Sequence, residues 1–84
     1  MTKPAKLLTQ LLQSHERSVS FADFERLLMA LGFVHKRTGG SHRHYRHPDV
    51  PFVFTINPDG KHAYRYQLRR LLELVEEFGL HIAS

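Results

Sequence analysis

Three helical stripes and three short alternating runs of apolar residues follow one another along the chain. Leu7, Leu8, Leu11 and Leu12 fall on one side of a 3.6-residue repeat and predict a helix over residues 5–14. Pro4 suits its first turn, where a missing N–H leaves no bond unmade. The polar stretch 14–18 breaks the pattern. Phe21, Phe24, Leu27, Leu28 and Leu31 then line one face of a helix over 20–31. Ser20 and Asp23 hold capping-box positions, with Asp where Glu is more usual. Gly32 stands where a left-handed residue closes a helix.

The period then changes. Residues 33–37 carry few helix signals and predict a strand, followed by a turn at Thr38-Gly39-Gly40. Residues 41–47 predict a second strand, and Pro48-Asp49-Val50-Pro51 a turn held rigid at both ends. Residues 52–56 predict a third strand, with Phe52, Phe54 and Ile56 on one face and Val53 and Thr55 on the other. Asn57-Pro58-Asp59-Gly60 is a turn. Leu68, Leu71, Leu72, Val75 and Phe78 make the buried face of a last helix over 64–78, which Gly79 stops; Leu80 and Ile82 are expected to fold back on the core. The expected architecture is α+β, in the order α-α-β-β-β-α. A three-stranded antiparallel meander has one apolar face to cover, and the helices over 20–31 and 64–78 suffice. The first helix packs on the sheet edge or on its neighbour. The opposite face of the sheet stays open.

Composition narrows the class. The 84 residues make one small domain, 42% hydrophobic and 24% charged, which is globular rather than disordered. The absence of cysteine removes disulfides, cysteine-based metal sites and thiol nucleophiles, and fits a reducing cytoplasm. No apolar run is long enough for a membrane span, and the N-terminus has no signal-peptide core. A net charge of +4 points to a polyanionic partner, nucleic acid or an acidic protein.

The candidate chemistry is concentrated in Thr38-Gly39-Gly40-Ser41-His42-Arg43-His44-Tyr45-Arg46-His47. No acid occurs from Arg26 to Pro48, a window that holds Arg26, Lys36, Arg37, Arg43 and Arg46. Strand alternation sorts the second strand into two faces. Tyr45 belongs with the core, so Ser41, Arg43 and Tyr45 share one face, and His42, His44 and Arg46 share the other with Val53 and Thr55. That open face is basic and rich in hydrogen-bonding groups, and suits phosphate.

Three roles compete for His42. It can be a general acid/base in RNA cleavage, because imidazole titrates near neutrality, with Arg43, Arg46 or Lys36 holding the phosphate as charge builds. His42, His44 and His47 can hold a metal, although His47 points away and no carboxylate or cysteine lies near. The histidines can also contact only phosphate or solvent. Lesser candidates have plainer readings beside them. Gly39 and Gly40 admit a phosphate or simply make the turn. Ser41 orients His42 or leans on the strand edge. Tyr45 stacks a base or packs in the core. Lys36 and Arg37 contact phosphate or are solvated. Arg65, Arg69 and Arg70 form a second phosphate track, or Arg69 pairs with Glu73 at i,i+4.

The run Gly40-Ser41-His42-x-x-Tyr45 resembles the Gly-Ser-His-x-x-(Phe/Tyr) signature of HicA-type toxins, RNA-cleaving members of bacterial toxin–antitoxin pairs. Phe21-x-x-Phe24-x-x-Leu27-Leu28-x-x-Leu31-Gly32-Phe33 is similar to the family's helix-to-strand entry. Asn57-Pro58-Asp59-Gly60-Lys61, then Tyr66-Gln67-Leu68-Arg69 and the leucine-rich helix to Gly79-Leu80, extend the likeness over residues 6–80. The resemblance implies a double-stranded-RNA-binding-domain-like fold and a single HicA-like domain over 1–84, with 1–18 as an N-terminal helical extension. It also implies cleavage of messenger RNA by one catalytic histidine, here His42, and a HicB-type antitoxin that masks the site. Gly40, Ser41, Lys36, Arg43, His44 and Arg46 are the candidate RNA-binding residues. No metal or cofactor is expected, and the mechanism expected is attack by the ribose 2′-hydroxyl on the adjacent phosphate. The alternatives are an RNA-binding module of the same fold that does not cut, and a degenerate toxin that only holds its antitoxin.

Overall fold

The computed structural model of the chain describes residues 3–13 and 18–82. The polar break read at 14–18 falls on residues 14–17 for most of its length, outside the described residues, as do residues 1–2 of the expected extension. The elements are α1 (Pro4–Gln13), α2 (Phe21–Ala30), β1 (Val34–Gly39), β2 (His42–Arg46), β3 (Phe54–Ile56), β4 (Pro58–Asp59), β5 (His62–Ala63) and α3 (Arg65–Phe78). Strands β1, β2 and β3 form one antiparallel sheet in that order, with β2 central. The fold is the expected α+β arrangement around a three-stranded sheet.

The apolar stripes fill the core, except that Leu12 of the α1 stripe is 55% exposed. Leu7 and Leu11 of α1, Phe24, Leu27 and Leu28 of α2, and Leu68, Leu71 and Leu74 of α3 are buried with Tyr45, Phe54 and Ile56 of the sheet. The first helix packs on α2. Phe24 meets Phe21 and Phe54 edge-on, with ring centroids 6.4 and 6.5 Å apart. Edge-to-face contacts of this kind add to the burial of apolar area.

Each end of α2 is set by the residues that mark it in the sequence. Ser20 Oγ accepts from the Asp23 N–H at 3.1 Å. The reciprocal half of the box is absent, because the Asp23 carboxylate goes to Arg26 instead, at 3.1 Å. At the other end the Gly32 N–H donates to the Met29 carbonyl and the Phe33 N–H to that of Leu28, at 3.1 and 3.0 Å. That is a Schellman closure, with Phe33 buried as its apolar partner.

The structure departs from the pattern in three places. The third strand is shorter than 52–56: Phe52 and Val53 precede it, and Phe52 is 37% exposed rather than in the core. Its ring leans edge-on against Phe78 at 6.2 Å. A residue flanked by Pro51 has little ladder to join. The turn expected at 57–60 is a miniature hairpin, β4 pairing β5 around Gly60-Lys61. Its outer edge is sewn to the start of α2 by Phe21 N–H to the Lys61 carbonyl (2.9 Å) and Ala63 N–H to the Val19 carbonyl (2.8 Å). Third, the first hairpin turns at Gly40-Ser41, and Thr38 and Gly39 belong to β1. Gly40, at φ +62°, is the first of two loop residues, where a type II′ turn requires positive φ.

Gly32 has φ +101°, and a Cβ built there would stand 3.0 Å from His47 Nε2. Gly79 has φ +63° with open space around it. Gly32→Ala is therefore expected to cost more than Gly79→Ala, which costs about 1 kcal/mol for an L-residue in the left-handed region. Urea unfolding of the two variants measures the difference, and equal losses would show that His47 yields freely.

Candidate nucleic-acid interface

The central strand divides its side chains as alternation requires. Tyr45 pairs with Phe54 and Arg43 with Ile56, and this face meets the helices. His42, His44 and Arg46 stand on the other face, where His44 lies opposite Thr55 and its Nδ1 is 2.9 Å from Thr55 Oγ1. His42 is exposed at the first position of β2, directly after the turn, paired with Gly39. Arg46 is exposed at the far end, paired with Val34.

Strand β1 carries a bulge. The register shifts between His35 and Arg37, so Lys36 is the extra residue. The slip brings Arg37 opposite His44, onto the open face, where uninterrupted pairing from Val34 would have placed Lys36. Lys36 is displaced to a groove of about 340 Å³ that it shares with Arg46, Val34 and His47. Two of the expected phosphate-binding cations thus meet at one end of the sheet, and Arg37 joins the histidines at its middle.

Arg43 is not brought to the open face. Its Nη1 lies 2.6 Å from Glu25 Oε1 and its guanidinium sits 4.9 Å from the centre of the Phe21 ring. The same carboxylate accepts from the Tyr45 hydroxyl at 2.7 Å through Oε2. Glu25 thereby ties α2 to β2 at two points two residues apart. Burial, and then the hydrogen bond to Glu25, push the Tyr45 phenol well above the ordinary tyrosine value, against a smaller opposing pull from Arg43. The acid-free window stops one residue short of Glu25, and the sequence signal for this partner was its place beside the Phe21–Phe24–Leu28 stripe.

His47 is also drawn away from the other histidines. Its Nε2 is 2.9 Å from the Leu31 carbonyl and its Nδ1 accepts from the Asp49 N–H at 3.0 Å. Because an amide N–H only donates, Nδ1 is the acceptor and Nε2 carries the hydrogen. The ring caps the end of α2 and packs on Phe33 at 5.1 Å. Among the described residues no three His, Cys, Asp or Glu side chains stand together in a way that would hold a metal ion.

His42 opens into a cleft of about 380 Å³ between β3 and α3, whose far wall carries Asn57, Tyr66, Gln67 and Arg70. Gln67 is buried and latches this wall: its Nε2 donates to Asn57 Oδ1 at 2.8 Å, and its Oε1 accepts from the Asn57 N–H at 3.3 Å. Arg70 pairs with Glu73 at 3.4 Å, in place of the Arg69–Glu73 pairing expected at i,i+4. These residues lie far from the histidine run in sequence, and only the turn into α3 sets them beside it. Gly40 and Ser41 form the turn that leads into His42.

A family model, the HicA toxin of bacterial toxin–antitoxin systems, matches residues 21–76, from the start of α2 almost to the end of α3. With two thirds of its length matched, the chain belongs to the HicA toxin family, and a toxin of such a pair has an antitoxin as its partner. Comparisons with curated proteins and with solved structures gave no match. No described helix is long and apolar enough to cross a membrane.

Glu25→Ala leaves the Tyr45 hydroxyl without its acceptor and Arg43 without its anion. It is expected to lower stability by about 2 kcal/mol, and Tyr45→Phe, which keeps the Arg43–Glu25 pair, by about 1 kcal/mol. Denaturant titration ranks them, and the opposite order would refute the clamp. The raised Tyr45 pKa also fixes a pH dependence. Its contribution is whole below the ordinary tyrosine value of 10.0. Above that value the unfolded chain ionises while the folded chain resists, so stability falls as pH rises. Tyr45→Phe is expected to flatten that part of the curve, and an unchanged alkaline slope would count against it.

Proposed function

We propose that this chain is an endoribonuclease toxin that cleaves messenger RNA without a metal, with His42 as its acid/base, and that a HicB-type antitoxin neutralises it by covering the open face. The observation that carries this reading is the position of His42. It is an exposed imidazole on the basic face of the sheet, directly after the Gly40-Ser41 turn, at the mouth of a cleft that also holds Arg70.

The chemistry follows from what an imidazole can do. His42 takes the proton from a ribose 2′-hydroxyl as that oxygen attacks the adjacent phosphorus. The bond from phosphorus to the 5′ oxygen breaks, and the leaving oxygen takes a proton back from the imidazolium. The products are a cyclic phosphate and a 5′-hydroxyl. Arg37, Arg46 and Lys36 attract the polyanion, and His44 donates beside the scissile phosphate. Arg43 serves through its hold on Glu25, which keeps β2 in register. Localisation in the cytoplasm, where messenger RNA is found, belongs to the same reading.

His42→Ala is expected to reduce cleavage by at least about 100-fold while RNA affinity stays near that of the parent. Induced expression in bacteria should stop growth and fragment a reporter message for the parent chain and do neither for the variant, and cleavage by the purified protein should persist in EDTA. A 3′-hydroxyl with a 5′-phosphate at the cut would overturn the mechanism. Intact RNA with the parent chain, freed of any partner, would leave a binding module that does not cut.

A further inference from the structure

Tyr66 is the most exposed large apolar side chain of the described residues, at 61%, and it stands at the start of α3 rather than on a covered face. One side of it belongs to the cleft that His42 opens into. Its other side faces a second hollow of about 510 Å³, which carries His62, Arg65 and Arg69, with Asp59 as the carboxylate on its rim. An aromatic ring thus stands between two basic hollows, and Tyr64 supports it at 5.4 Å between ring centroids.

Arg70 is prepared for an anion. Its guanidinium rests 5.5 Å from the centre of the Phe52 ring, which limits the freedom it loses on binding. Its bond to Glu73 joins two exposed groups, 46% and 66% accessible, and such a pair contributes little and yields readily to phosphate. The Gln67–Asn57 latch fixes this part of α3 against the residue that follows β3. Asn57 is the residue next along from the Arg43–Ile56 pair, so it lies beside His42 in the sheet register. The distance from Tyr66 and Arg70 to His42 is therefore set by the fold and not by a loop.

We infer that the cleft between β3 and α3 is a nucleotide subsite for single-stranded RNA, in which Tyr66 stacks the base and Arg70 binds the phosphate of a residue next to the one cut at His42. A base can lie on Tyr66 only if it has left its own stack, so the site selects unpaired RNA over duplex. The basic hollow beyond Tyr66 carries the strand onward along α3. This inference takes its substrate from the proposed function, and the two fail under different observations.

The test is made in the His42→Ala chain, so that substrate survives, with a short single-stranded oligoribonucleotide carrying a fluorescent purine analogue. Tyr66→Ala is expected to weaken binding by about 10-fold or more and to abolish the fluorescence quenching that stacking produces. Tyr66→Phe keeps both, because the ring and not the hydroxyl does the work. Arg70→Gln is expected to lower the slope of log affinity against log salt by about 0.7, the share of one single-strand phosphate. Both side chains are exposed, and the bond the Tyr66 hydroxyl accepts from Gln67 Nε2 at 3.3 Å is controlled for by Tyr66→Phe, which loses that bond while Gln67 keeps both of its bonds to Asn57. If Tyr66→Ala and Arg70→Gln bind as the parent does, the subsite is wrong even where His42→Ala stops cleavage. If the chain with His42 intact leaves RNA uncut while Tyr66→Ala still weakens binding, the subsite stands and the cleavage assignment falls.

Discussion

Everything on the open face depends on the parity of β2. A strand has two faces and a shift of one residue exchanges them. Burial of Tyr45 in the core fixes which alternate set points outward, and the Glu25 carboxylate holds that choice by binding Tyr45 and Arg43 together. A slipped register would put His44 against the apolar core and Tyr45 in solvent, leaving Glu25 with neither partner. The clamp joins a helix to the central strand of the sheet, so it also sets the distance between the helical layer and the strand that carries His42.

That clamp explains why the two arginines of β2 differ. Arg43 and Arg46 look alike in the sequence, each flanked by histidine or tyrosine. Arg43 is neutralised on the helix side, and Arg46 is exposed on the open side. Adding Arg37 through the bulge, the sheet sends one way the cations that have no acid partner among the described residues. A face so charged repels copies of itself and attracts a polyanion, and an antitoxin covering it, as proposed, would have to supply acids.

The parts of this arrangement that were legible in the sequence are those with a period. The stripes of α2 and α3, the Ser20 cap, the Gly32 closure and the alternation of residues 42–46 are local patterns whose physical cause lies within a few residues. What was not legible depends on contacts between distant segments. Nothing in Val34-His35-Lys36-Arg37 announces a bulge, since any of these side chains tolerates an edge strand. Phe52 reads as core by its neighbours Phe54 and Ile56, yet Pro51 and the short third strand leave it on the rim, where it serves as a shelf for Arg70. His47 reads as one of a histidine group and is instead a cap for α2, because the carbonyl of Leu31 needed a donor. The same limit applies to the cleft, whose far wall lies fifteen to twenty-eight positions from His42 in the chain.

If RNA is cut at His42, as proposed, the geometry of the open face separates binding from chemistry among the cations. His42 and Arg46 are four residues apart on one strand, a rise of about 13 Å, and side chains on a sheet stand roughly perpendicular to it. A phosphate at His42 is therefore out of reach of the groove that holds Arg46 and Lys36. In the proposed reaction those two cations would act on a neighbouring part of the RNA, where they would raise affinity and steer encounter without stabilising the transition state. On that reading, charge that builds at the cut is met from nearer positions, Arg37 and His44, one row away in the sheet. On the proposed reading, then, the turn end of the sheet is the catalytic end, and the Pro48 end is an anchor.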